Sequence, residues 1–205
     1  MMNGLTKQEL QKYWIDRSTQ QGKRTVGYAG HDSNQQDIEY NEKISFVLPW
    51  VDCELLTLDY GCGVGRWAKI FKNYIGVDVT QNLLQIAIEE NPTKNFFPLQ
   101  TPSLEMFNSV DLSKVKQFFT STVLQHCNDV LCDEIIKTFA GHNPMSPTFI
   151  LYETSIKAGG YHNKGRTSYE YSNIIGKYFS LKDITFEEHL VHGQPHTISK
   201  ITTDG

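Results

Sequence analysis

The feature that most constrains this chain is a turn of three glycines, Gly61-Cys62-Gly63-Val64-Gly65. It lies between an apolar run at 55–60 and a short helix expected from about residue 66 to 72. A strand that ends in glycines presents bare backbone to a ligand, because no Cβ stands in the way. The spacing is G-x-G-x-G, with Arg66 where the last glycine of the dinucleotide-binding pattern would fall. No Gly-Lys-Ser/Thr follows, which excludes a phosphate loop. Asp59 sits immediately before the turn, where a carboxylate would repel a pyrophosphate and suits a cationic ligand. A second acid, Asp78, closes the next apolar run about 20 residues on, where an acceptor for ribose hydroxyls belongs. Capping of the following helix is its other available role.

Strand-like and helix-like runs alternate around this turn, the pattern of a parallel sheet covered by helices. Residues 74–79 read as the second strand. Thr80 then caps a helix whose Leu83, Leu84, Ala87 and Ile88 share one face. Residues 96–99 and 115–123 read as the third and fourth strands. Asn128 or Asp129 caps the next helix, with Leu131, Ile135 and Phe139 inward and Gly141 at its end. A fifth strand is expected at 148–152 and a helix near 168–175. Two last runs, 184–190 and 197–201, are joined by a turn short enough to make them an antiparallel hairpin at the sheet edge. The hairpin is expected to run up beside the fifth strand and back. Two helical stretches, 6–14 and 38–48, precede everything. The expectation is a three-layer α-β-α sandwich on a seven-stranded, mostly parallel sheet.

The segment Leu58-Asp59-Tyr60-Gly61-Cys62-Gly63-Val64-Gly65-Arg66 resembles the first motif of the class I (Rossmann-like) S-adenosylmethionine-dependent methyltransferases. The resemblance continues through Gly76-Val77-Asp78-Val79-Thr80. It extends to Ser121-Thr122-Val123-Leu124-Gln125-His126-Cys127, which looks like the segment after the fourth strand in the small-molecule and glycan branch. It covers roughly residues 55–155.

The resemblance implies S-adenosyl-L-methionine as cofactor and S-adenosyl-L-homocysteine as product. Gly61, Gly63 and Gly65 would line the methionine part, and Asp59 would meet its amino group; Tyr60, Cys62 and Thr122 would be further cofactor contacts. Asp78 would hold the ribose and Val79 would pack on the adenine. Thr101 would serve the adenine edge, although many relatives carry an acid in that segment. Trp14 and Arg17 would belong to a lid, with Arg17 on the cofactor carboxylate; a plain packing helix is the competing account. His126 would border the methyl group or act as a base, with mere closure of the cofactor pocket as the competing account, and His162 is the second catalytic candidate. Arg166 and Tyr171, in and after a basic loop with Lys157 and Lys164, are read as binding an anionic acceptor, against a solvated surface loop. His196 is expected at the substrate mouth. The single domain, 1–205, then divides into a helical lid (1–50), a cofactor-binding core (51–155) and a substrate-side loop, helix and hairpin (156–205).

Composition removes several other classes. Apolar residues make up 39% and charged residues 20%, an ordinary globular balance without a membrane-length apolar run. The polar N-terminus lacks the apolar stretch of a secretory signal, so a cytoplasmic location is expected. A net charge of −4 speaks against a broad nucleic-acid footprint. The four cysteines form no C-x-x-C pair and read as reduced thiols. His189, His192 and His196 suggest a metal cluster, but strand residues three apart face opposite ways, so no metal is expected. The Asn/Asp-Pro-Pro-Tyr segment of amino-directed DNA methyltransferases and the Pro-Cys nucleophile of cytosine-C5 enzymes are both missing. The expected function is therefore methyl transfer to the O or N of a small, sugar-sized or nucleotide-sized acceptor bearing an anionic group. A nucleic-acid methyltransferase acting on a flipped or single-stranded base, or a cofactor-binding interaction module, are the alternatives. The oligomeric state is left open.

Overall fold

The computed structural model describes residues 5–22, 25, 33–105, 107–154, 164–191 and 194–204. Its strands are β1 (Leu56–Tyr60), β2 (Asn73–Asp78), β3 (Asn95–Pro98), β4 (Gln117–Ser121), β5 (Thr148–Thr154), β6 (Leu181–Val191) and β7 (Gln194–Thr203). Its helices are α1 (Lys7–Gln21), α2 (Ser33–Val47), α3 (Gln81–Glu90), α4 (Asp129–His142) and α5 (Ser168–Ile175).

Successive side chains of a strand point to opposite faces, and here both faces are buried. Phe118 of β4 and Phe149 and Leu151 of β5 join one core with Leu10 of α1, Ile135 and Phe139 of α4, and Ile175 of α5. Their neighbours Phe119, Ile150 and Tyr152 join a second core with Val47 of α2 and Leu84 and Ala87 of α3. Each of the larger aliphatic and phenylalanine side chains contributes about 2 kcal/mol by leaving water. Double-sided burial explains the unbroken apolar runs in the sequence, and the three-layer sandwich is the expected one.

The strand order is β3-β2-β1-β4-β5-β7-β6. The first five strands pair in parallel, while β7 runs antiparallel to both β5 and β6. The chain therefore reverses its direction of winding between β1 and β4, and that switch point leaves a crevice at the strands' C-terminal ends.

Several elements depart from the sequence reading. The hairpin is inserted the other way round: its second arm, β7, pairs with β5, and its first arm becomes the edge. Only one 3₁₀ turn, Arg66–Lys69, follows the glycines. Helix α4 runs through Gly141 and is closed by Asn143, whose backbone N–H donates to the Phe139 carbonyl while its side-chain amide donates to the carbonyls of Leu112 and Val115. Thr80 precedes α3 without a capping bond, because its hydroxyl donates to Asp78 instead. No described helix is long and apolar enough to cross a membrane.

Arg166 corrects the sequence reading most sharply. It is 3% exposed and does not face the crevice. Its Nε and Nη2 donate to Asp129 (3.1 and 2.9 Å), its Nη1 to the Leu124 carbonyl (2.9 Å) and its Nη2 to the Cys127 carbonyl (2.7 Å). The planar fork is consumed in tying the chain before α5 to the turn before α4. Tyr171 is buried in the first core beneath it, with the guanidinium 5.7 Å above its ring. Neither residue can be a substrate anchor. Replacing Arg166 by Ala strands two buried carbonyls, so Arg166→Ala should lower the unfolding free energy by about 3 kcal/mol in urea denaturation. Arg166→Lys should recover part of that loss; wild-type stability in the alanine variant would contradict the clamp.

Candidate functional site

A cavity of about 500 Å³ opens at the switch point. Gly61 lies on its wall with φ +74°, and a Cβ there would meet the Val123 methyls at 2.6 Å. The turn after β1 and the segment after β4 can approach this closely only because position 61 is glycine. Gly65, at φ +70°, serves packing: a Cβ would stand 2.8 Å from the Phe96 ring. Gly63 and Gly65 are not on the cavity wall, whereas Gly61, Cys62 and Val64 are.

Two buried acids flank the turn. Asp59 is 1% exposed and accepts the Tyr74 hydroxyl at 2.6 Å. Burial pushes its carboxyl up to about 7, with Asp78 nearby adding to the rise and the Tyr74 bond opposing it. Among the described residues no basic side chain forms an ion pair with it. Asp78 accepts the Gly63 amide on Oδ2 (2.9 Å) and the Thr80 amide on Oδ1 (2.8 Å). It thus braces the glycine turn as well as facing the cavity, and burial raises its pKa against those bonds. Tyr60 also lines the space, its hydroxyl donating to the Pro102 carbonyl at 2.6 Å.

The segment after β4 is held by a third buried acid, Glu153 at the end of β5. Its carboxylate accepts the amides of Val123 (3.2 Å), Leu124 (3.1 Å) and Gln125 (3.2 Å). Burial nevertheless pushes it up to about 7. This brace places Thr122, Val123, Gln125 and His126 on the wall. Thr122 has φ 56°, in the left-handed region where non-glycine residues are strained.

From the other layer, α1 presents Leu10, Trp14 and Arg17, spaced for one helical face. The Trp14 ring meets the His126 ring edge-on at 5.0 Å. Arg17 lies over Trp14 at 5.6 Å, and its buried Nε has no hydrogen-bond partner among the described residues.

Of the residues singled out from sequence, Trp14, Arg17, Asp59, Tyr60, Gly61 and Cys62 line the cavity. Asp78, Val79, Thr122, His126 and His196 do so too. Thr101 does not: its hydroxyl turns to Ser103 (3.2 Å) beside a separate small cleft, and Leu99 and Pro102 take the main wall. His162, Lys157 and the stretch 26–32 of the expected lid lie outside the described residues. His196 pairs across the hairpin with His189, the rings 6.2 Å apart, and stacks on Tyr152 at 5.4 Å. Sequence reasoning missed Glu39, Tyr40 and Lys43 of α2, together with Arg66 and Trp67. Charged residues on a short helix read as a solvated face, and only docking turns them inward.

No protein-family model matches the chain, and no curated protein does. Solved structures do resemble it. The fold is that of the class I S-adenosylmethionine-dependent methyltransferases. A magnesium protoporphyrin IX methyltransferase from Synechocystis, with S-adenosylhomocysteine bound, superimposes at a TM-score of 0.70 and 15% identity, covering 97% of this chain and 100% of the other. The cyclase SpnF matches at 0.66 and 14%, covering 98% and 97%. Phosphoethanolamine N-methyltransferase 1 of Haemonchus contortus, in complex with phosphoethanolamine and S-adenosylhomocysteine, matches at 0.65 and 13%, covering 98% of this chain and 50% of the other.

The raised carboxyls predict a pH dependence. A folded pKa of about 7 for Asp59, against about 4 unfolded, means that the native state binds the extra proton between those values. Its contribution to stability is present below about pH 4 and is lost as pH rises through about 7. Urea unfolding from pH 4.5 to 7.5 should show a shallower decline in Asp59→Asn than in wild type. Parallel curves would place the carboxyl at an ordinary value.

Proposed function

We propose that the chain transfers a methyl group from S-adenosyl-L-methionine to the O or N of a small, sugar-sized or nucleotide-sized acceptor. The observation that carries this reading is the pair of buried acids, Asp59 and Asp78, on either side of a bare-backbone turn and facing one cavity. A cation beside Asp59 would relieve the burial that now raises its pKa, which fits the cofactor's ammonium group. Asp78 Oδ2 keeps acceptor capacity for a ribose hydroxyl beyond its one amide bond. The orphaned Nε of Arg17 fits the cofactor carboxylate, and Val79 and Leu99 offer apolar walls to the adenine. The cofactor, when bound, supplies a methyl group on a sulfonium, an already activated leaving group.

The protein's part is alignment and exclusion of water. Helix α1 roofs the cavity, and the Glu153 brace holds the segment after β4 at the strands' open ends. An acceptor fixed in line with the methyl group gains most of its rate from that positioning. A hydroxyl nucleophile also needs somewhere to send its proton. His126 stands where a base could take it, adding about 10²–10⁴-fold. The N-terminal helices and the segment after β5 act as lid and substrate side in this reading.

The magnesium protoporphyrin and phosphoethanolamine enzymes support a small acceptor, while the cyclase shows that this fold also hosts other chemistry. Transfer of labelled methyl from S-adenosyl-L-methionine into fractionated cell extract decides between them. Calorimetry should show S-adenosyl-L-homocysteine binding, with proton release at pH 6 that fades above about pH 8 as Asp59 ionises beforehand. Asp78→Asn should weaken that binding about tenfold. Unchanged affinity in this variant, or a preference for NAD, would sink the assignment.

A further inference from the structure

Gln125 carries a hydrogen-bonding geometry that the cofactor reading leaves unused. It is 6% exposed and lines the cavity. The backbone N–H of Thr154 donates to its Oε1 at 2.9 Å. A backbone N–H can only donate, so the amide oxygen is fixed towards the end of β5 and the NH2 group is turned away from it. That group lies 3.4 Å from His126 Nε2, a long contact that engages at most one of its two N–H bonds. The main chain is pinned as well: the Gln125 backbone N–H donates to Glu153, and the Gln125 carbonyl accepts from the Lys164 N–H. Turning the amide round would leave the Thr154 N–H unpaired.

The segment around Gln125 has spent its own acceptors. The Ser121 carbonyl accepts from the Thr122 hydroxyl, the Val123 carbonyl from the His126 N–H, and the Leu124 carbonyl from the Cys127 N–H and Arg166. Strand order sets Asp59 and Asp78, at the ends of β1 and β2, on one side of the cavity, and Gln125, against the end of β5, on the other. With the cofactor on the two acids, the acceptor is left the side where Gln125 offers a fixed donor. That donor tells nucleophiles apart. An oxygen keeps a lone pair for Gln125 while another attacks the methyl group. A neutral amine has one lone pair, which must attack, so the Gln125 N–H would be left buried and unpaired. The Thr122 hydroxyl, whose proton goes to Ser121, can accept from a hydroxyl and an amine alike and does not discriminate.

We infer that Gln125 is a specificity-determining residue whose side-chain N–H holds the acceptor's nucleophilic oxygen, so that the methyl group goes to O and not to N. This rests on the cofactor reading above and narrows it. One oxygen lone pair forms the new C–O bond as the C–S bond breaks and leaves its electron pair on sulfur. The proton of a hydroxyl leaves to His126, while a carboxylate or phenolate has none to lose. Gln125 donates to the same oxygen throughout, which fixes its position without competing for the attacking lone pair.

The test is NMR on the full chain at about pH 8, titrating phenol, aniline and toluene with saturating S-adenosyl-L-homocysteine and again without it. Phenol should bind about tenfold or more tighter than aniline. It should also move the side-chain N–H resonances of Gln125, which toluene should leave in place. Gln125→Glu keeps the bond from Thr154 and, once ionised, presents only acceptors; Gln125→Met removes the donor at nearly the same volume. Each should erase the advantage of phenol while S-adenosyl-L-homocysteine affinity stays within about twofold. The inference falls if neither probe binds, if aniline binds as tightly as phenol, or if the Gln125 resonances stay put. It falls equally if the advantage survives in both variants, or if both weaken the cofactor product instead. With isotope-labelled methyl donor and fractionated extract, the product should show an O-methyl resonance, and an N-methyl resonance would overturn the assignment. Failure of wild-type protein to bind S-adenosyl-L-homocysteine would bring down the cofactor reading, and the cofactor-free titrations would then judge Gln125 separately.

Discussion

The approach of the Gly61 backbone to the Val123 side chain is the constraint on which the site depends. Two strands that diverge in winding direction leave a crevice, and its shape is set by how near their following segments come. A methyl group at position 61 would have to occupy the Val123 methyls. Without it, the turn after β1 and the segment after β4 form two walls of one cavity. Everything that holds these segments acts on the same gap. Asp78 holds the glycine turn through the Gly63 amide, and Glu153 holds the other side through three consecutive amides. Arg166 then ties the carbonyls of that segment to the chain before α5.

Buried charge recurs in these braces, and it does different work in each place. Glu153 and Arg166 have their hydrogen-bonding capacity taken up inside the protein, so they order backbone that has no regular partner. Asp59 is different: one tyrosine hydroxyl partly offsets the desolvation of a carboxylate that no described cation pairs with. Such a group is costly to bury alone, and a cation placed beside it would offset that cost. The Glu39–Lys43 pair is balanced internally and yet lies on the cavity wall. Glu153 and Arg166 are thus spent on the fold itself, whereas Asp59 has no cationic partner among the described residues.

The two walls of the cavity were unequally visible in the amino-acid order. Asp59, the glycine turn and Asp78 lie within twenty residues of one another, on consecutive strands whose parallel pairing follows from the βαβ rhythm. Asp59 stands opposite Gly76 in that pairing, and Tyr60 opposite Val77. Local spacing therefore carries three-dimensional information. The α2 side has no such rhythm. Glu39 and Lys43 are a helical i, i+4 pair of the kind found on any solvated surface, and Arg66 is one more basic residue after a turn. Arg166 misled for the same reason: a basic residue in a polar loop reads as free, and nothing nearby in sequence announces that Leu124, Cys127 and Asp129 will surround it.

What the sequence by itself determined is the part of the protein built by neighbours along the chain. The alternation of strands and helices, the double-sided burial of the central strands and the acid-glycine-acid wall all rest on periodicities of two and 3.6 residues and on backbone freedom at Gly61. Only the tertiary structure decided which arm of the hairpin lies against β5, which cations face the cavity and which are spent as internal clamps. Those outcomes depend on packing between segments tens of residues apart, where the same side chain is stable in water or in a satisfied interior, and local pattern does not distinguish the two.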